Sequence, residues 1–281
     1  MQHRYDEVNG IKLHAVQDGE QHTDIIIFLH GFPEFCGAWH KQLPYFAARG
    51  FHALAPDQRG YNLSSKPKGV KSYVIDTLVD DIANWIQQLT TQKIILVGHD
   101  WGGGVAWALA LKYPHLLKKL VILNMPHWAV MQKHFKSNFK QMLKSWYVAF
   151  FQIPLLPKAF CRIFNFKLLE RALVGTANNN IFTQQELQHY KAAWQQQGAL
   201  TAMINWYRAF KHDLTKTYGK VTVPTLIIWG KKDAALSASM AYDSANECIN
   251  SNLIVIPDAT HWLHHEKPDE VNRLILNFIK E

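Results

Sequence analysis

The chain has 281 residues, of which 48% are hydrophobic and 19% charged, with a formal charge of +8. That length suits one large domain, or a core plus an insertion, and the composition excludes a disordered or fibrous chain. No run of 18 apolar residues is present, and the opening residues lack the apolar core of a secretory leader.

Cys36, Cys161 and Cys248 stand too far apart for a disulfide framework or a zinc site, which fits a reducing compartment, so a cytoplasmic location is expected. The positive charge favours anionic surfaces in general. The basic residues are spread along the chain, densest between Lys133 and Arg171 where they interleave with apolar ones, and no nucleic-acid partner is expected.

In chain order, residues 5–8, Asn9-Gly10 and residues 11–16 read as a strand, a tight turn and a second strand. Asp24 leads into a continuous apolar run over 25–29, typical of a strand buried on both faces. It ends in His30-Gly31-Phe32-Pro33-Glu34, a loop at the kind of strand end where ligands meet an open α/β sheet. Gly31 permits an unusual backbone angle, and Phe32-Pro33 is a candidate cis peptide that would aim the Phe32 N–H into a pocket. An ordinary strand-to-helix loop is the alternative.

Helical spacing follows over 39–49, then a strand over 51–55 and a turn at Pro56-Asp57-Gln58-Arg59-Gly60. Asp57 and Arg59 are expected to form a local ion pair that braces the loops. An amphipathic helix is predicted over 73–89, with Leu78, Ile82, Trp85, Ile86 and Leu89 on one face. Asp76, Asp80 and Asp81 fall mostly off that face and are expected on a solvated surface.

The stretch from Lys93 to Gly104 organises the rest. A short strand over 94–97 runs into Gly98-His99-Asp100-Trp101-Gly102, and helical spacing follows over 105–111. A strand that turns sharply into a helix between small residues is a nucleophile elbow, which lifts its apex residue above the sheet beside the first free N–H groups of the helix. The apex here is Asp100. An aspartate is anionic at neutral pH and attacks without a base. A carboxylate gains little by acyl exchange, but it can displace a leaving group from saturated carbon to give an alkyl ester. That ester must then be hydrolysed, which calls for a general base elsewhere. The alternative at this point is a Gly-rich turn without catalytic meaning.

After a strand over 120–123, the alternation of strands and helices stops at Asn124-Met125-Pro126. Residues 127–214 show only helical patterns and loops, rich in aromatic, Lys and Gln residues. An all-helical insertion in an α/β frame is most simply a cap over the strand ends, its inner face lining the site and excluding water. The expected division is a core over 1–125, a helical cap over 126–215 and the rest of the core over 216–281.

A strand over 225–229 is followed by Gly230-Lys231-Lys232-Asp233, and one over 252–256 by Pro257-Asp258-Ala259-Thr260-His261-Trp262. A closing helix over 268–280 starts at Pro268. Asp233 and His261 thus follow successive strands, on the same sheet edge as Asp100. Nucleophile, acid, histidine is the chain order of α/β-hydrolases. His264 and His265 lie nearby but do not follow the strand directly. A His/Asp metal cluster is the other alternative, and it would need ligands converging without the elbow.

Over nearly its whole length the chain resembles the epoxide hydrolases of the α/β-hydrolase fold, through HGFPE at 30–34, GHDWGG at 98–103, WGKKD at 229–233 and ATHW at 259–262. The resemblance implies a mostly parallel central sheet flanked by helices, with an inserted helical cap. It implies Asp100 as nucleophile, His261 as base, Asp233 as its acid, and the N–H groups of Phe32 and Trp101 as the oxyanion hole. No cofactor or metal is implied, and the partner would be a small hydrophobic epoxide.

Haloalkane dehalogenases are similar at GHDWG, and the leaving group separates the two activities. An opening epoxide becomes an alkoxide that needs proton donors, whereas a halide needs only N–H dipoles. The resemblance supplies two such donors from the cap. Tyr207 lies in Asn205-Trp206-Tyr207-Arg208, and Tyr147 precedes Phe151-Gln152-Ile153-Pro154 by four residues. Periodicity alone reads Met203, Trp206, Tyr207 and Phe210 as one buried helix face, and Trp146 and Phe150 are aromatic neighbours of Tyr147. Trp101 and Trp262 complete the expected substrate wall.

The dehalogenase Asn after His-Gly is replaced by Phe32, and the arginines of the fluoroacetate enzymes by Trp101 and Gly104. Asn62 departs from a common Gly after Arg-Gly-Tyr, at no catalytic position. A dehalogenase and a non-catalytic ligand-binding relative remain the alternatives, and monomer and dimer are both open.

Overall fold

Short β-branched runs separated by helices build one eight-stranded sheet. The structure is a computed structural model that describes residues 1–213 and 219–281. Strands β1 (Gln2–Val8) and β2 (Ile11–Asp18) form an antiparallel hairpin. Asn9 and Gly10 turn it with φ of 49° and 75°, the two positive angles that a type I′ turn needs.

The elements continue as β3 (Asp24–Leu29), α1 (Gln42–Ala47), β4 (Phe51–Pro56), α2 (Ile75–Leu89), β5 (Ile94–His99), α3 (Trp101–Lys112) and β6 (Leu117–Leu123). Six helices follow without a strand: α4 (Trp128–Ser137), α5 (Phe139–Lys144), α6 (Trp146–Phe150), α7 (Leu156–Gly175), α8 (Gln184–Gln195) and α9 (Ala199–Asp213). The chain ends with β7 (Thr225–Gly230), α10 (Ser239–Ala245), β8 (Ser251–Ile256), α11 (Leu263–Glu266) and α12 (Pro268–Lys280).

The strand order is β1-β2-β4-β3-β5-β6-β7-β8, with β2 antiparallel to both neighbours and every later pair parallel. Alternate residues of each strand feed two cores. Ile27, Leu96 and Ile122 face α2 and α3, while Phe28, Val97 and Val121 face α1 and α12. Burying a side chain as large as Trp85 or Phe46 contributes ~1.5–3 kcal/mol, so the two layers together fix the sheet. The chain leaves β3 in one direction for β4, then crosses back to β5 on the other side of β3. That reversal opens a crevice beyond the carboxyl ends of β3 and β5.

Several expectations are corrected. The single helix expected over 39–49 is a 3₁₀ turn at Cys36–Trp39 followed by α1, because Pro44 lacks an N–H and is tolerated only in a first helical turn. The helix expected over 73–89 begins at Ile75, after a 3₁₀ turn at Val70–Tyr73. Asp57 and Arg59 do not pair with each other. Buried Asp57 meets His14 Nδ1 at 2.6 Å and accepts the Cys36 N–H at 2.9 Å.

Arg59 instead grips Asp81 with two 2.6 Å hydrogen bonds, and Asp81 is buried rather than solvated. Helical periodicity misplaces Asp81 because its partner comes from a loop. Asn62 takes φ of 34° and donates to Asp57 at 2.8 Å, so an Asn satisfies a position that otherwise favours Gly.

In the helical segment, α7 bends sharply at Ile163–Phe166, where Phe164, Asn165 and Phe166 have φ of 49°, 52° and 60°. The expected end of the insertion at Leu214, and the domain boundary between 215 and 216, lie outside the described residues. Among the described residues no helix is long and apolar enough to cross a membrane. Cys36, Cys161 and Cys248 are buried free thiols.

Candidate active site

The turn between β5 and α3 is one residue long. Asp100 takes φ of 48° and ψ of −125°, a backbone state that a side-chain-bearing residue adopts only when its surroundings impose it. Two glycines provide the room. A Cβ on Gly102 would collide with the carbonyls of Leu29 and His30, and one on Gly31 would collide with the Asp100 carboxylate. Close approach of α3 to β3 therefore fixes where Asp100 points.

β3 and β5 are neighbours, with Leu29 opposite Gly98, so the loop after β3 reaches Asp100 directly. The Phe32 N–H donates to Asp100 Oδ1 at 2.8 Å, and the Phe32-Pro33 peptide is cis. Trp101 opens α3, and as a first-turn residue its N–H has no acceptor within the helix. Among the described residues no hydrogen bond joins it to the Asp100 carboxylate. The other carboxylate oxygen, Oδ2, lies 3.5 Å from His261 Nε2.

His261 Nδ1 meets Asp233 Oδ2 at 2.7 Å. Asp233 is held in turn by the N–H groups of Ala235 and Leu236 at 2.7 and 2.8 Å, and by the Asn124 side chain at 2.5 Å. Asn124 closes β6 with φ of 44°, and its own Oδ1 accepts the Gly230 N–H at 2.9 Å. Asp100, His261 and Asp233 thus form one chain of contacts across β5, β7 and β8.

Burial alone would push the His261 pKa down, but the charge of Asp233 and the contacts to Asp100 carry it well above the ordinary imidazole value. Burial raises Asp233, and His261, the Leu236 N–H and Asn124 reverse this to leave it below the usual carboxylate range. The pair therefore rests as a charged imidazole between two carboxylates.

Behind His261 is a second polar cluster. His99 bridges Glu34 Oε2 at 2.9 Å and the His261 carbonyl at 2.8 Å. Glu34 Oε1 also meets His265 Nε2 at 2.7 Å and accepts from the Tyr190 hydroxyl at 3.1 Å. Burial opposes ionisation of Glu34, but the electrostatic influence of His264 and the hydrogen bonds from the imidazoles around Glu34 hold its pKa well below the usual range. His264 and His265 thus face Glu34, one layer below Asp100.

A cavity of about 380 Å³ lies over Asp100, lined among others by Phe32, Tyr147, Tyr207, His261 and Trp262. A small lobe of about 30 Å³ adjoins it, walled by Trp101, Met125, Met131 and Phe135. Asp100, Tyr147 and Tyr207 border both spaces. Tyr207, on α9, stands edge-on to Phe32 and Trp101 with ring centroids 5.1 and 5.2 Å away. Tyr147, on α6, is half-buried, its ring centroid 5.8 Å from that of Tyr207.

Burial, and then the Asp100 charge, push the Tyr207 pKa well up, with Trp101 offsetting a part. Burial, Asp100 and Asp233 push Tyr147 up as well. Both hydroxyls therefore stay protonated and able to donate at neutral pH. Trp262 packs edge-on against His261 at 4.9 Å and donates to Thr176 at 2.9 Å. Every residue expected at the site thus borders the cavity or touches a residue that does.

Three contributions were not read from the sequence. In the sequence Asn124 stands only as a break in the alternation, Glu34 only as the end of a loop motif, and His99 as an elbow neighbour. A clamp between the turn after α6 and α9 has no such reading either. Gln152 donates to the Tyr207 carbonyl at 2.9 Å, and Arg208 donates to the carbonyls of Phe151 and Ile153 at 3.0 and 2.8 Å. The polar residues flanking each tyrosine were the available signal, since they tie the two tyrosine-bearing segments together.

Comparison with known proteins adds to this geometry. A family model described as the alpha/beta hydrolase fold matches residues 24–268. The AB hydrolase superfamily protein YfhM of Bacillus subtilis is 46% identical, the match covering 97% of this chain and 96% of that protein. Epoxide hydrolase 1 of Caenorhabditis elegans is 38% identical, over 99% of this chain and 70% of that protein. A crystal structure of an epoxide hydrolase from Bacillus megaterium, complexed with its diol product, superposes with a TM-score of 0.91. It is 33% identical, and the match covers 99% of this chain and 100% of that one.

Proposed function

Because the chain belongs to the epoxide hydrolases of the α/β-hydrolase fold, we propose that it converts a small hydrophobic epoxide and water to a vicinal diol in two steps on Asp100. The substrate enters the cavity between the strand ends and helices α4 to α9, which act as a cap that excludes bulk water. Tyr147 and Tyr207 donate hydrogen bonds to the epoxide oxygen, and Trp101 and Trp262 flank the substrate. Asp100 Oδ2 attacks one ring carbon, the C–O bond breaks, and a tyrosine proton goes to the departing alkoxide. Oδ1, on the Phe32 N–H, becomes the carbonyl oxygen of the ester.

Ester formation removes the Asp100 charge that favours the imidazolium, so His261 gives its proton to the tyrosinate. In the second step the neutral imidazole takes a proton from water, and the hydroxide adds to the ester carbon. The oxyanion collects on the N–H groups of Phe32 and Trp101. Asp233 holds the imidazole in orientation and balances its charge. The tetrahedral species expels the diol, whose oxygen takes the proton held by His261. The acid proton left on Asp100 returns to His261, which restores the carboxylate and the charged imidazole. Each step uses protein groups and water, so the scheme calls on no cofactor or metal. The buried free thiols fit a cytoplasmic setting.

The observation that carries this reading is the pair of tyrosines, Tyr147 and Tyr207, that border the cavity together with Asp100. A halide leaves as a stable anion that needs dipoles but no proton, whereas an alkoxide needs both, so two hydroxyls at the cavity favour an epoxide. The experiment compares styrene oxide with 1-bromobutane. Diol without bromide supports the proposal, whereas bromide without diol would make this a dehalogenase and reduce both tyrosines to packing.

A further inference from the structure

We propose that helices α5 to α7 form a docking face for anionic lipid bilayers, which sets the mouth of the cavity against the membrane. From the start of α5 to the end of α7 the sequence carries six Lys or Arg residues and one acid, Glu170, a net +5 within the formal charge of +8. Glu170 is already engaged by Lys167 and Lys191. Interleaved with these cations are large apolar side chains turned to solvent. Phe139, Leu143, Trp146, Leu156 and Ile163 are exposed, and Leu155 and Phe164 reach 81% and 83% exposure. A folded chain rarely leaves so much apolar surface in one segment unless something covers it.

The backbone points the same way. Phe164 stands at the bend of α7, at φ of 49°, followed by two more side-chain-bearing residues with positive φ. Leu155 has φ of 60°. Both project an apolar side chain outward from a conformation that disfavours it. An apolar tip flanked by cations is the chemistry of an interfacial anchor: the hydrophobic group enters the acyl boundary and the basic residues meet lipid phosphates.

The patch runs into the cavity. The Trp146 ring packs on Phe150 at 6.0 Å, Phe150 on Phe160 at 5.6 Å, and all three line the space above Asp100. A hydrophobic epoxide dissolved in the bilayer would pass from lipid to Asp100 along aromatic surface. This last step rests on the function proposed above, whereas the docking itself does not. A second copy of the chain is the weaker occupant, since a two-fold contact would set two strongly positive faces against each other.

The test is co-sedimentation of the purified protein with phosphatidylglycerol or phosphatidylcholine vesicles, read as bound fraction and independent of turnover. The protein should sediment with the anionic vesicles and stay in solution with the neutral ones. Phe164→Asn, which suits positive φ, and the double change Lys158→Glu with Arg162→Glu should each lower the partition coefficient more than about tenfold. Both variants should hydrolyse a water-soluble epoxide at the original rate. Absence of binding to phosphatidylglycerol, or equal binding by the variants, would overturn the proposal. So would a dimer in sedimentation equilibrium that Phe164→Asn dissolves. Vesicle binding by a protein that hydrolyses no epoxide would leave the docking face standing and remove only the reaction.

Discussion

Asn124 donates its side-chain amide to Asp233 Oδ2 at 2.5 Å and accepts the Gly230 N–H on its own oxygen at 2.9 Å. One residue at the end of β6 thus fixes both the loop that carries Asp233 and the carboxylate itself. Asn124→Ala removes two buried hydrogen bonds and leaves the Gly230 N–H unpaired, a loss of about 1–3 kcal/mol of stability. Because Asn124 acts through Asp233, kcat should fall about tenfold with KM little changed. Urea denaturation and steady-state kinetics measure both, and an unchanged kcat would show that Asp233 needs no such support.

The tyrosines should divide the loss of proton donation between them. Tyr207→Phe and Tyr147→Phe keep the rings that pack on Phe32 and on each other. Each should slow formation of the alkyl-enzyme by about 10- to 1,000-fold, and the double variant should be close to inactive. Single-turnover kinetics on styrene oxide read this directly. Equal rates for the wild type and the double variant would mean that the alkoxide finds its proton elsewhere.

His261 should titrate differently before and after the first step. In the resting protein, the contacts to both carboxylates hold its pKa well above the ordinary value of about 6.5. Ester formation removes the Asp100 charge, so the imidazole becomes less basic in the intermediate. A base must be neutral to take a proton from water, so hydrolysis of the intermediate slows as the pH falls through that lower pKa. The acid limb of the hydrolysis step should therefore lie below the pH at which His261 of the resting protein titrates by NMR. Coincidence of the two would argue against Asp100 as the group that is esterified.

The Arg59–Asp81 pair makes a separate prediction about stability. Burial pushes the Asp81 pKa up, and the two Arg59 hydrogen bonds reverse only a part of that. Arg59→Ala leaves a buried carboxylate without its cation and should cost about 3–5 kcal/mol. Asp81→Asn keeps hydrogen-bonding capacity with less buried charge, but leaves Arg59 unneutralised. A urea midpoint for Arg59→Ala within error of the wild type would show that solvent reaches this pair.

The positions of Asp100, Asp233 and His261 are legible in the sequence for a physical reason. A strand, a lone apex residue and a helix leave few conformations, so Asp100 between Gly98 and Gly102 could be placed above the sheet. Asp233 and His261 follow strands directly and inherit the same edge. Contacts between distant loops carry no such local signature. Glu34 and His99 are 65 residues apart and meet only because β3 and β5 are neighbours. The burial of Asp81 escaped because helical periodicity gives a face, and cannot foresee an arginine arriving from the turn after β4.

The central claim is that the oxygen added to the substrate comes from Asp100. A single turnover with enzyme in excess over styrene oxide, run in ¹⁸O-labelled water, tests it most directly. The account predicts a first diol without the label and one labelled oxygen in the peptide that contains Asp100, since water attacks the ester carbon and not the substrate. Labelled diol in the first turnover, with Asp100 unlabelled, would mean direct attack by water and would contradict the covalent mechanism.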